Sequence, residues 1–166
     1  MKKSILSTAA ILAFTSTANM AHAVTGDFVP RLAISSFELQ AVTQQYQAHL
    51  LTSIANKPPA TPTEVACYQI LQSQISDLIH VGTFLINVQN MAFVMTHVSN
   101  PAELTYIKPL FLTALFSAKG AADTSLNTYQ QVALTSPCQS IMPSTLTQKA
   151  VAALTDARKT LDSSGD

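Results

Sequence analysis

The stretch NMAFVMTHVSNPAE, residues 90–103, decides how this chain folds. Its first half continues a long run with helical apolar spacing. Its second half carries a helix stop and a helix start. Asn100 is a capping side chain, and Glu103 follows it by three residues. Pro101 suits the first helical position, where its missing N–H has no intrahelical partner. Two long helices with Ser99 and Asn100 between them must fold back as a hairpin.

The same start signal recurs at Ser35 with Glu38, at Thr61 with Glu64 and at Thr145 with Gln148. Each opens a segment of helical spacing, so the sequence predicts four helices over about 36–56, 62–98, 101–135 and 146–161. Leu39, Val42, Tyr46, Leu50 and Ile54 form the apolar stripe of the first. Leu104, Ile107, Phe111, Leu115, Leu126, Tyr129 and Val132 form that of the third. Leu146, Ala150, Leu154 and Leu161 form that of the fourth. Pro109 is expected to kink the third helix near Thr105, and Gly120 weakens its middle, so this element reads as one kinked helix or two shorter ones. Gly82 in the second helix is either a weak point or a place of close helix approach. The predicted fold is all-α: an antiparallel, up-down-up-down four-helix bundle with a long central hairpin.

Cys67 lies one turn into the second helix and Cys138 just past the third. Both fall at the open end of the hairpin, so a Cys67–Cys138 disulfide is predicted. Chain-entropy models give a loop of this length roughly 4 kcal/mol of stabilisation. There is no C-x-x-C motif, which argues against a thiol oxidoreductase.

Residues 1–23 read as a cleavable signal peptide: basic MKKS, apolar ILSTAAILAFTSTANM, then the A-x-A site AHA. The compact MKK start looks bacterial. No cysteine follows the cleavage site to carry a lipid anchor, so the expected destination is the periplasm, with a mature N-terminus at Val24. Residues 24–34 are then an N-terminal extension, which reads as a tail, a short helix or a lid over the second helix. Residues 35–166 form the bundle domain. Cleavage removes Lys2 and Lys3 and leaves a 143-residue chain with seven basic and nine acidic side chains, a net charge of −2. With no basic run, nucleic acid has no electrostatic footprint to bind.

Charge is sparse throughout, at 11% of residues, and none falls between Asp77 and Glu103. A surface built from Gln, Asn, Ser and Thr binds by shape and hydrogen bonding, with weak salt sensitivity. Residues 78–98 have the length of a membrane span. His80, Asn87, Gln89, Asn90 and His97 make a helix buried in the bundle, or facing a partner, the better reading.

On a helical wheel, Ser73, Ser76, His80, Thr83, Asn87, Asn90 and His97 fall along one polar stripe. Leu71, Ile75, Leu78, Gly82, Leu85, Ala92 and Phe93 fall on the opposite, core side. Met91 and Val94 interrupt the polar stripe, and Met95 lies at its edge, turning toward the core with Phe84 and Val88. The apolar part of this helix is wider than an edge helix needs. Either this helix is the central one, covered by the chain's own termini, or part of it meets a partner; in the second reading Met91, Val94, Met95, His97, Asn90 and Phe84 form the interaction patch. Met91, Met95 and His97 point in different directions, which argues against a Cu(I) site.

No H-E-x-x-H, G-x-S-x-G, S-x-x-K, P-loop, G-x-G-x-x-G or C-x-x-C-H motif is present. Glu38, Glu64 and Glu103 are absorbed as capping residues, and Asp77 stands alone on a polar face. No enzyme activity, cofactor or metal is expected. The layout resembles that of small exported helical bundles of bacteria, some of which are immunity proteins, chaperones or accessory factors. The expected function is a periplasmic interaction protein that binds a protein partner or itself. The alternative is a carrier of a small apolar ligand in a cavity lined by Phe84, Phe93, Phe111, Phe116 and Tyr129.

Overall fold

A computed structural model describes residues 27–135 and 137–164. They form four helices: α1 (Phe28–Asn56), α2 (Pro62–His97), α3 (Pro101–Thr135) and α4 (Ser144–Asp162). A short 3-10 turn, Pro137–Ser140, joins α3 to α4. The expected signal peptide and residues 24–26 lie outside the described residues.

Two of the four start signals act as caps. At α2 the Thr61 hydroxyl accepts the Glu64 N–H at 3.2 Å, and a Glu64 carboxylate oxygen accepts the Thr61 N–H at 3.1 Å. At α3, Asn100 Oδ1 accepts the Ala102 N–H at 3.0 Å. The other two expectations are corrected. α1 starts at Phe28, seven residues before Ser35, because Phe28 and Leu32 continue the stripe of Leu39, Val42 and Tyr46 and are fully buried. Burying two large apolar side chains outweighs one capping bond, at about 1.5–3 kcal/mol each against about 1. Most of the expected N-terminal extension is thus helix, and Ser35 is buried 3.3 Å from the Thr160 hydroxyl of α4. α4 starts at Ser144 behind Pro143, with no side-chain cap from Thr145.

α3 runs unbroken through Pro109. Thr105 and Pro109 are both exposed, so the carbonyl that proline leaves without a donor lies on the solvent side of the helix. A methyl group added at Gly82 or Gly120 would meet nothing within 4 Å, so neither glycine marks a close helix approach.

Each helix packs on two neighbours: α1 on α2 and α4, α3 on α2 and α4. The contacts run in opposite numerical order. Between α1 and α4, Ser35 meets Thr160 and Tyr46 meets Thr147. Between α3 and α4, Lys119 meets Asp162 and Asp123 meets Arg158. Between α2 and α3, Tyr129 meets Gln74, and the disulfide joins Cys67 to Cys138 with Cα atoms 5.3 Å apart. The predicted bond is present.

Inside, Phe28 packs edge-on against Phe111 and Tyr46 edge-on against Tyr129. Burial pushes the Tyr129 hydroxyl far up, so it stays protonated and donates to the Gln74 carbonyl at 3.0 Å. The Gln74 side chain is fully buried, and both its amide atoms lack a partner among the described residues.

Candidate interaction surface

The bundle is four helices thick along part of its length. α4 ends at Asp162, beside Lys119 of α3, so residues 101–118 of α3 run on past it for about 27 Å at 1.5 Å per residue. Here α3 has neighbours in α2 and in the start of α1, through Phe28 on Phe111. In this stretch α3 exposes Tyr106, 83%, and Phe116, 80%, with Leu110 and Leu112.

A second apolar surface lies on α1 and α2. Ile79, Ile86 and Phe93 follow one another at seven-residue intervals along α2 and are 45%, 48% and 55% exposed. Beside them a groove of about 320 Å³ runs between α1 and α2, lined by Ser36, Gln40, Gln44 and Gln47 from α1 and by Gly82, Thr83 and Ile86 from α2. α1 carries no charged residue between Glu38 and Lys57, and α2 carries none beyond Asp77.

The expected patch is redrawn by these positions. His97, Asn90 and Val94 are exposed, as a contact surface requires. Met95 is only 7% exposed and belongs to the core, and Phe84 and Met91 are half-buried against that core. These three face inward because residues 84, 88, 91 and 95 form the α2 stripe turned toward the bundle. Phe93, expected in the core, is on the surface, where the His97 ring stacks on it at 4.1 Å. His97 Nδ1–H donates to the Phe93 carbonyl at 2.9 Å. Met91, Met95 and His97 thus have three different surroundings and do not converge.

The aromatic residues expected to line a ligand cavity are scattered. Phe111 and Tyr129 are buried, Phe84 is half-buried, and Phe93 and Phe116 are exposed on different helices. The described hollows are open surface grooves. Asp77 is half-buried instead of lying on an open polar face, and burial raises its carboxyl against the opposing effect of His80.

Two contacts were not legible in the sequence. His49 Nε2–H donates to the Ile141 carbonyl at 2.6 Å and ties the end of α1 to the loop after the disulfide. Arg158 of α4 holds Asp123 of α3 at 2.7 Å and also pairs with Asp162. The His49–Ile141 and Arg158–Asp123 contacts join residues far apart in the chain, which no spacing rule connects, whereas Arg158–Asp162 is an i,i+4 pair.

α2 is long and apolar enough, by length and composition, to cross a membrane, and a third of its most apolar window is buried in the bundle. No known protein family, curated protein or solved structure matches the chain.

Proposed function

We propose that this is an exported, non-enzymatic helical-bundle protein that docks onto another polypeptide through the uncharged α1–α2 face, as an accessory, immunity or chaperone-like factor does. The observation that carries the reading is the exposed stripe Ile79, Ile86 and Phe93 beside a neutral groove. Three large apolar side chains repeating along one side of a helix, beside a groove, support an interaction surface over plain solvent-facing helix. Asn90, Val94 and His97 continue the stripe toward the hairpin tip. The Cys67–Cys138 disulfide fits an oxidising compartment and so supports export. The carrier reading has no convergent lining to support it.

The test is site-specific photo-crosslinking in the producing cell. A crosslinking side chain at Ile86 should give a discrete adduct, and the same group at the exposed Gln130 of α3 should give none. Absence of any adduct from positions 79, 86 and 93 would overturn the docking face. Export is checked on the same material: the mature mass should place the N-terminus at Val24 and be about 2 Da below the dithiol form.

A further inference from the structure

We propose that the occupant of the α1–α2 face is a second copy of this chain, packed as an isologous dimer. This rests on the reading of that face as an interaction surface and assigns its partner.

The first reason is periodicity. On α2 the exposed residues Ile79, Ile86 and Phe93 are seven apart, and Val65 lies two further intervals upstream, also exposed. On α1, Phe37 and Leu51 are exposed and stand seven residues either side of the exposed Gln44. A seven-residue repeat keeps a ridge facing another helix over many turns, whereas solvent imposes no period.

The second reason is shape. The ridge and the groove lie on the same face, which is what a twofold contact requires, because each surface must receive its own copy. The groove floor at Gly82 is open, with nothing within 4 Å of an added Cβ, so a large side chain from outside has room there.

The third reason is polarity. Self-docking sets like charges against each other, and the part of this face that holds the groove has none: no charged residue falls within 39–56 or 78–102, and Glu64, beside Val65, is paired with Lys57. Its polar side chains include the glutamines Gln40, Gln44 and Gln47. A glutamine amide both donates and accepts, so it pairs with its own copy, as no carboxylate or ammonium does.

The fourth reason is size. From Val65 to Phe93 the ridge spans about 42 Å, and two helices side by side are about 20 Å wide. That is on the order of 800 Å², what a standard interface takes from each partner.

The experiment is sedimentation equilibrium of the mature, oxidised protein over roughly 1–100 µM, a range matched to a micromolar dissociation constant. The expected result is a reversible monomer–dimer equilibrium. I86D should weaken it by at least about tenfold, since an unpaired carboxylate would be buried. G82L, which fills the groove without touching the protomer core, should weaken it too. F116D, on the α3 surface, should leave it unchanged. Retained helicity and thermal unfolding establish that each variant is folded. A dimer that survives both I86D and G82L, or that dissociates with F116D, overturns the proposal.

A monomer at every concentration also overturns it, and the Ile86 crosslink then separates the two readings. An adduct with a different polypeptide leaves the docking face standing without self-docking. No adduct removes both. An adduct of twice the chain mass, together with a concentration-dependent dimer, supports both.

Discussion

The two ends of the α2–α3 hairpin are built on different principles. At the end that holds the termini of α2 and α3, four helices surround Tyr46 and Tyr129, a disulfide crosslinks the hairpin, and His49 bonds the following loop. Arg158, Asp123, Asp162 and Lys119 lace α3 to α4 at its border. At the tip, α4 is absent, and Tyr106, Leu110 and Phe116 face outward with Phe93 of α2. One end spends its residues on holding the chain together, and the other displays apolar side chains that contribute little to the fold. Stability is therefore concentrated at the crosslinked end of the hairpin, so substitutions at the two ends should differ in their cost.

The largest effect is expected from the disulfide. Replacing Cys67 and Cys138 together with serine should lower unfolding free energy by about 4 kcal/mol in a urea titration, since the bond closes a long loop. A loss below about 1 kcal/mol would mean that the four-helix end does not depend on its crosslink.

Next comes Gln74, where the expected sign is positive. Its buried amide carries unmet donors and acceptors, so Gln74→Met, similar in volume, should raise stability by about 1–3 kcal/mol. A destabilised variant would show that the amide is satisfied in solution, by buried water for example.

The α2 cap follows. Thr61→Ala should cost about 1 kcal/mol, measured in the same titration. Glu64, the other half of that cap, gives a pH signature. Its carboxyl is held down to about 2, first by the Lys57 ammonium and then by the Ala60 N–H. A depressed carboxyl stabilises fully above its unfolded range near 4.5 and loses that contribution as pH falls through about 2. Glu64→Gln should therefore be less stable than the parent at neutral pH, and the difference should vanish near pH 2 in acid titrations followed by circular dichroism.

The smallest effect belongs to the tip. Tyr106→Ser with Phe116→Ser should change stability by no more than about 0.5 kcal/mol, because both rings are largely solvated already. A loss of several kcal/mol there would erase the contrast between the two ends.

Most of the architecture follows from local chemistry. Four helices, the tight turn at Asn100 and the pairing of Cys67 with Cys138 were all legible, because turn residues, apolar period and hairpin length act over short or fixed separations. Two of the expected caps are not used, and for the first the reason is visible. Ser35 has the side chain of a cap and Thr145 has its partner in Gln148, but a cap is worth about 1 kcal/mol. The burial of Phe28 and Leu32 is worth more, and it depends on α3 and α4 lying where they do.

The candidate surface was less legible. A helical wheel at a uniform 100° per residue drifts over the 36 residues of α2, so it sets Phe93 on the core side and Met95 at the edge of the contact. Both residues are apolar, and composition cannot say which of two such neighbours meets the core. By itself the sequence determined the helices, their turns and their crosslink. The tertiary structure alone decided which apolar residues are left facing water, because exposure depends on which side of each helix its neighbours cover: α1 and α3 pack on α2 and leave Ile79, Ile86 and Phe93 outside.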